Sequence, residues 1–397
     1  MSKIIFTGTN LMGQGSATML ICSTKALKRF IPNVEFAVAS KHPKFDSQRG
    51  SQYGLRFFNC YYSRYDVNLL LSLLRMIKEL VNADFVVDLS GFSFTDHFGI
   101  FHSMGASINI LLCRFMGKRI VMFSQAMGPF NSRMNRLLAR LFLRRADLII
   151  VRGEITREYL YGIGIRNQVH VYADSAFLLE PAPLERVQGI LRKEGIKGRD
   201  GGKLLIGVTV NARIYERSHT KKTGNYYVRL IVQLIDYLIE RLNAEVVFVP
   251  YETSLSGYDD RFVAREIYKT VRNKHGVKLI ENEYTPQEMK GVVGIFDLFI
   301  GSRFHSVVAS TSMLVPTIAI AWSHKYYEIM KTLGQEKYVC NPKAVSFPQL
   351  AHLVEDVLSR KEEVREELKT QVRKAKQSAL EGIKLLATYF IQSLPSR

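Results

Sequence analysis

A chain of 397 residues, 47% apolar, with 55 Lys plus Arg against 36 Asp plus Glu, is too hydrophobic and too evenly mixed for a disordered basic tail, so it folds. Its formal charge of +19 attracts polyanions and does not choose among nucleic acid, anionic lipid and phosphorylated small molecules. The length allows two or three domains, and two is the natural reading. Cys22, Cys60, Cys113 and Cys340 stand far apart with no CxxC spacing, which argues against a disulfide framework and a structural zinc and for a reducing, cytoplasmic compartment. The opening MSKIIFTGTN turns polar too soon for a signal peptide, and no apolar run approaches the roughly 18 residues of a membrane span.

In chain order, short β-branched runs alternate with helical patterns, the signature of a parallel-sheet α/β protein. Strands are expected at Lys3–Thr9, Val34–Ala39, Phe85–Leu89, Arg119–Phe123, Leu148–Arg152 and Val169–Tyr172. A second series follows at Leu204–Val210, Val246–Pro250, Val277–Ile280, Leu298–Gly301 and Thr317–Trp322. The first strand runs into Gly8 to Ala17, a Gly-rich turn opening a helix; its backbone N–H groups suit an anion, though a tight turn alone explains the glycines. Asp66 precedes an amphipathic run, Val67–Val81. After Leu89, the loop Ser90-Gly91-Phe92-Ser93-Phe94-Thr95-Asp96-His97 mixes aromatic, hydroxyl and ionisable groups; it suits a sugar acceptor subsite and equally a satisfied surface turn, and His102 adds another polar candidate beside His97.

The Asn131–Arg145 helix sets Met134, Leu137, Leu138, Leu141 and Phe142 on one face and Arg133, Arg136, Arg140 and Arg144 on another. The plainer reading is a core helix with a solvated Arg face; a basic amphipathic helix also suits an anionic membrane. Arg152 leaves an apolar strand and needs a phosphate or a structural ion pair with Glu154 or another carboxylate; Asp174 follows the next strand in a capping or hydrogen-bonding position. Glu180-Pro181-Ala182-Pro183 and the charged stretch to Gly202 read as a linker containing a short helix. Beyond it come a basic loop, Asn211 to Gly224, and Thr285-Pro286-Gln287-Glu288, a capping box.

The densest cluster is Ile300-Gly301-Ser302-Arg303-Phe304-His305-Ser306, where a buried strand turns into a helix. Arg303 offers a permanent fork for an anion and His305 a proton exchangeable near neutral pH. One unit later, Trp322-Ser323-His324-Lys325 brings Lys325 toward the same pocket. No HExxH, DxD or clustered His/Cys spacing proposes a metal. These elements describe two Rossmann-like domains in a glycosyltransferase-B-like arrangement with a C-terminal helical tail: an acceptor-side domain 1–182, linker 183–203, a donor-side domain 204–345 and tail 346–397. Ligands are then expected beyond the carboxyl ends of the strands, where the unusual residues indeed cluster.

The Gly301–Ser306 turn, with Val315-Pro316-Thr317 and Lys325 after it, resembles the C-terminal motif of the polysaccharide pyruvyl transferase family. The Gly-rich turn, Val151-Arg152-Gly153-Glu154 and Tyr172-Ala173-Asp174-Ser175 match in order. The resemblance implies transfer of the enolpyruvyl unit of phosphoenolpyruvate to a sugar, forming a ketal and releasing phosphate, with no cofactor beyond the donor. It implies donor contacts from Arg152 and from the Arg303-Phe304-His305 turn; Lys325 is expected to add charge to the same pocket, and the chemistry of the residues themselves makes His305 the general acid. Gly13-Gln14 stands where the family has Gly-Asp, and Ser90-Gly91-Phe92 where it has consecutive glycines. Both departures fall on the acceptor side, where Gly13, Asp96 and His97 are candidates; Asp96 and Glu252 are candidates for the base. The acceptor is expected to be a cell-surface glycan or its lipid-linked precursor, met in the cytoplasm with peripheral membrane contact. A nucleotide-sugar glycosyltransferase is the alternative, and nucleic-acid binding the least suited.

Overall fold

The computed structural model describes residues 2–59, 69–197, 202–220, 224–253 and 259–394. Cys60, the helix start at Asp66, Gly198–Gly201 and the Lys221-Lys222-Thr223 tip of the basic loop lie outside the described residues. The chain forms two compact units, one of residues 1–12, 16–178 and 375–397, the other of 13–15 and 179–374.

In the first unit the strands are β1 (Ser2–Thr7), β2 (Val34–Ser40), β3 (Arg56–Asn59), β4 (Phe85–Asp88), β5 (Arg119–Gln125), β6 (Leu148–Val151) and β7 (Val169–Val171). They form one sheet ordered β3-β2-β1-β4-β5-β6-β7, all parallel. In the second unit β8 (Leu204–Thr209), β11 (Ala244–Phe248), β12 (Val277–Leu279), β13 (Leu298–Gly301), β14 (Thr317–Ile320) and β15 (Val339–Cys340) are ordered β12-β11-β8-β13-β14-β15, again all parallel. A two-stranded antiparallel ribbon, β9 (His219–Thr220) and β10 (Gly224–Asn225), rises from the basic loop. The central strands FVVD, LIIV, LFIG and TIAI are buried along their whole length, as strands covered on both faces are, the terminal Asp88 and Thr317 included. Each fully buried Val, Leu, Ile or Phe contributes about 1.5–3 kcal/mol.

In each sheet the chain steps outward on one side and then returns to the other, so the order reverses between β1 and β4 and again between β8 and β13. Crevices open at such points beyond the strand ends, and both fall on unusual residues. Gly8, at φ +71°, carries the chain off β1 so close to the β4 turn that a Cβ there would lie 2.7 Å from that of Ser90. A Cβ on Gly301 would sit 2.7 Å from Val307 Cγ2, so only glycine lets β13 pass this tightly into the helix Phe304–Ser312.

The helices follow the sequence reading with informative exceptions. The capping box forms at Thr285, whose side chain accepts from Glu288 N while Glu288 answers the Thr285 N–H. The helix Leu184–Lys193, read as part of a linker, puts Val187 and Ile190 into the second unit's core with Met289 and Val292. The tail forms the helices Phe347–Ser359 and Lys361–Ser393. The latter buries Val364, Leu368 and Val372 in the second unit's part of the chain, then Ala375, Ala379, Ile383 and Phe390 in the first unit's, with Phe390 edge-on to Phe85 at 5.5 Å. The Arg133–Leu143 helix reverses the plainer expectation: it buries Asn135, Ala139 and Leu143, half-buries Leu138 and Phe142, and turns Met134, Leu137 and Leu141 outward at 52%, 48% and 43% exposure.

Candidate active site

At the β8/β13 reversal the turn Gly301–Ser306 is held by its own backbone and by three side chains. Ser302 N donates to Thr209 O at 2.9 Å. Asn211 Nδ2 and Tyr326 OH both donate to Ser302 O, at 2.7 and 2.9 Å, and Tyr227 OH donates to Ser302 Oγ at 2.7 Å. Burial pushes both tyrosine hydroxyls up, so they stay neutral donors. The turn is a fixed platform on which Arg303 and His305 stand.

Arg303 is engaged by a residue the sequence reading did not single out. Its Nε donates to both oxygens of Asp260 (3.1 and 3.0 Å) and its Nη2 to Oδ1 at 2.6 Å. Asp260 is fully buried and also accepts from the backbone N–H groups of Ala212, Tyr251 and Glu252. Burial works against the guanidinium charge, but Asp260 and Glu252 more than offset it and raise Arg303 above its ordinary value. The pair fixes the plane of the fork and makes Arg303 an oriented donor.

Beside it, burial raises the Glu252 carboxyl above the ordinary range while Arg303 pulls it down. A carboxylate tuned in this direction suits proton transfer near neutral pH. Lys325 is buried, with Nζ 5.0 Å from the Trp322 ring centre, 5.4 Å from that of Phe304 and 5.8 Å from that of Tyr326, so three rings cage the ammonium. The half-buried His305 ring meets Phe304 edge-on at 5.1 Å. The Gly13–Gly15 turn clusters with this unit: Gln14 N donates to Tyr251 O at 3.0 Å, and a Cβ on Gly13 would come within 3.0 Å of the Glu252 carboxylate. The structure thus brings together Arg303, Phe304, His305, Lys325, Glu252 and Gly13.

The remaining candidates lie in the first unit. Arg152, 4% exposed, donates from Nη1 to Asp174 Oδ2 and from Nη2 to Gly91 O, both at 2.7 Å. Its carboxylate is Asp174, not Glu154, which pairs instead with Arg157. Asp174 also accepts from Ala176 N at 2.8 Å, the capping role expected of it. Asp96 caps the Arg133–Leu143 helix from a distance, accepting from Asn131 N, Ser132 N and Asn135 Nδ2. His97 packs on Phe92.

A cavity of about 320 Å³ opens at the β1/β4 reversal, lined among others by Thr7, Lys41, Asp88, Ser90, Phe101 and His102. Its floor is a buried network: Thr7 Oγ1 donates to Asp88 Oδ2 at 3.0 Å, Gln125 Nε2 to Asp88 Oδ1 at 3.0 Å, and Ser93 Oγ to Gln125 Oε1 at 3.0 Å. Ser90 and His102, quoted from the sequence, line this cavity; Asp88 and Gln125 were missed, the signal being an acidic residue ending an apolar strand. Among the described residues no group of three or more His, Cys, Asp and Glu is placed to hold a metal ion. Cys22, Cys113 and Cys340 are buried thiols outside any disulfide, and burial pushes the last two up to about 12.

Residues 15–324 match the family model for polysaccharide pyruvyl transferase. The chain is 25% identical over 313 residues to the amylovoran biosynthesis protein AmsJ of Erwinia amylovora, covering 78% of this chain and 73% of that one. Among solved structures, HepE of Anabaena in complex with UDP-glucose is similar with a TM-score of 0.66 at 11% identity, over 99% of this chain and 100% of that one. MnaA of S. aureus with UDP follows at 0.64 and 14%, over 100% and 99%. At these identities the structural likeness shows the fold, two Rossmann-like units of the glycosyltransferase-B type, and nothing finer. The family match spans more than three quarters of the sequence and takes in the Arg303–His305 turn, Lys325's neighbour His324 and the Arg152–Asp174 pair; the chain belongs to the polysaccharide pyruvyl transferase family and is a transferase.

Proposed function

We propose that the chain transfers the enolpyruvyl unit of phosphoenolpyruvate to a sugar of a surface polysaccharide or its lipid-linked precursor, forming a pyruvate ketal and releasing phosphate. The observation that carries this reading is the platform beyond the ends of the neighbouring strands β13 and β14, which sets an oriented guanidinium, an imidazole and a caged ammonium together. Phosphoenolpyruvate carries a carboxylate and a phosphate, and Arg303 and Lys325 supply two fixed cations for them. His305 delivers a proton to the methylene carbon, leaving the adjacent carbon oxocarbenium-like. A sugar hydroxyl adds there and yields its proton to a base; Glu252, raised by burial beside Arg303, is the candidate. The carbon–oxygen bond to phosphate then breaks, a second hydroxyl adds, and its proton goes to the departing phosphate. The sum is redox-neutral: donor plus diol gives ketal plus phosphate. By motif match Arg152 is the family's upstream arginine, held at the end of β6 by Asp174 and Gly91 O.

On the acceptor side, the β1/β4 cavity sits at the small end of the roughly 300–1,000 Å³ typical of ligand pockets, which suits one sugar ring. Asp88 and Ser90 line it beside the exposed Phe101 ring, the pairing of polar edge and aromatic face that a sugar takes. Asp96 spends its carboxylate on a helix N-terminus, so the acceptor role moves from it to the cavity. Peripheral membrane contact belongs to the same reading. A nucleotide-sugar glycosyltransferase is the second reading, favoured by the UDP-bound proteins that share the fold. Incubation with phosphoenolpyruvate and saccharide acceptors should release phosphate and add the mass of a pyruvate ketal; release of a nucleoside diphosphate from a nucleotide-sugar instead would overturn the proposal.

A further inference from the structure

We propose that the face formed by the Ile100–Phe115 and Arg133–Leu143 helices docks on an anionic lipid bilayer. On the first helix Phe101, Met104, Ile108, Leu111 and Phe115 follow one another at intervals of three and four, a single stripe, and all are exposed, Phe101 and Phe115 at 83% and 90%. The second helix packs directly against the first and adds the exposed row Met134, Leu137 and Leu141. Two adjacent helices therefore leave their large apolar side chains uncovered, where a soluble surface normally scatters them singly.

The charge around this stripe is one-sided. Residues 97–146 contain eight basic side chains, Arg114, Lys118, Arg119, Arg133, Arg136, Arg140, Arg144 and Arg145, and no Asp or Glu. Arg133, Arg136 and Arg140 each directly precede one residue of the Met134–Leu141 row, so guanidiniums flank it. Arg114 pairs with Asp147 at the edge of the face; among the described residues no ion pair involves Arg133, Arg136, Arg140, Arg144 or Arg145. The one acidic group at the start of the Arg133–Leu143 helix, Asp96, is spent on backbone N–H groups.

An anionic bilayer satisfies both halves of this surface, the apolar stripe at the headgroup–acyl boundary and the guanidiniums among the phosphates. A second copy does not, because an isologous contact would set the arginine-flanked Met134–Leu141 row of one copy against the same arginines of the other. A duplex nucleic acid uses the arginines and leaves Phe115 and Leu111 in water. No helix among the described residues is long and apolar enough to cross a membrane, so the contact is peripheral. Phe101 belongs both to the stripe and to the cavity lining, which puts the cavity mouth at the end of the docking face. A sugar carried on a lipid would reach the cavity from the bilayer; that purpose rests on the function proposed above, the docking itself does not.

The test uses the full chain, without substrates, sedimented with vesicles of phosphatidylcholine alone or mixed with phosphatidylglycerol. The parent should bind the anionic vesicles and not the neutral ones. Arg140→Glu with Arg144→Glu should weaken binding by at least about 25-fold, at about five-fold for each charge near the surface. Phe115→Asp with Leu141→Asp should abolish it, and both variants should keep the parental unfolding profile and turnover on soluble acceptor. Failure of the parent to bind anionic vesicles at low salt, unchanged binding by either variant, or a dimer in sedimentation velocity that the same variants dissolve would each overturn the proposal. Vesicle binding without pyruvyl transfer would leave the docking standing and remove the proposed function.

Discussion

Asp260→Ala is the sharpest test of how the site is built. The substitution removes the carboxylate that holds Arg303 and strands a guanidinium whose side chain is 13% exposed, while three backbone donors, Ala212, Tyr251 and Glu252, lose their acceptor. Breaking one partner of a buried ion pair costs about 3–5 kcal/mol, a large part of the roughly 5–15 kcal/mol that stabilises a folded domain. Asp260→Asn keeps one acceptor oxygen and should cost about half as much. Adding Arg303→Met to Asp260→Ala removes the stranded charge and should recover at least about 1 kcal/mol, a coupling that independent sites do not show. The assay is built in: Trp322 is the only tryptophan, it lies in the second unit, and its indole donates to Tyr326 on the same platform, so its emission during urea denaturation follows this unit. A shift of under about 0.5 kcal/mol for Asp260→Ala, or single effects that simply add in the double variant, would refute the buried pair as the element that orients Arg303.

Two other outcomes follow from the same geometry. His305→Ala should lower turnover by about 10²–10⁴-fold with the Trp322 unfolding profile unchanged, as loss of a general acid does, and Arg303→Lys should also cut it by losing the fork while keeping the charge; phosphate release reads both, and near-parental rates in both would mark the cluster as structural. For Glu252 the folded-state value lies above the ordinary 4.5, so the folded chain holds this proton more tightly than the unfolded one. Its contribution is complete below about 4.5 and is lost as pH rises through the raised value. Glu252→Gln, which cannot titrate, should therefore gain stability relative to the parent as pH climbs from about 4.5 toward 8, and a flat or falling difference across that range would contradict the shift.

Much of this was legible in the sequence, because apolar runs flanked by Gly and ionisable residues mark buried strands and their ends. Leu298–Gly301 matches β13 residue for residue, and the capping box formed where the spelling placed it. Strands read as Lys3–Thr9, Phe85–Leu89 and Val246–Pro250 stop one to two residues earlier, since the last apolar residue already belongs to the turn that leaves the sheet. Arg56–Asn59 and Val339–Cys340 escaped notice because both are short and are strands only by virtue of a neighbour, at a sheet edge where local pattern is weakest. Asp260 was invisible for a related reason, its partner lying 43 residues away. The Arg133–Leu143 helix teaches the converse: periodicity showed an apolar face, but whether anything covers that face is a fact of tertiary packing.

That uncovered face divides the charge of +19 into two kinds of work. At the donor platform Arg303 and Lys325, with Arg213 acting on Glu252, stand against Asp260 and Glu252, so the local balance is near neutral and the groups are largely buried. Such a site recognises an anion by the geometry of its donors, and buried pairs are little screened by salt. The two-helix face, where Arg133, Arg136, Arg140 and Arg144 are exposed and in no ion pair among the described residues, works through its field, which salt shortens from about 10 Å at 0.1 M to about 3 Å at 1 M. Raising salt should therefore release the chain from anionic vesicles while the KM for phosphoenolpyruvate on a soluble acceptor moves by less than about three-fold. If KM instead climbs in step with vesicle release, the donor is gathered by long-range attraction, and the fork held by Asp260 is not what recognises it.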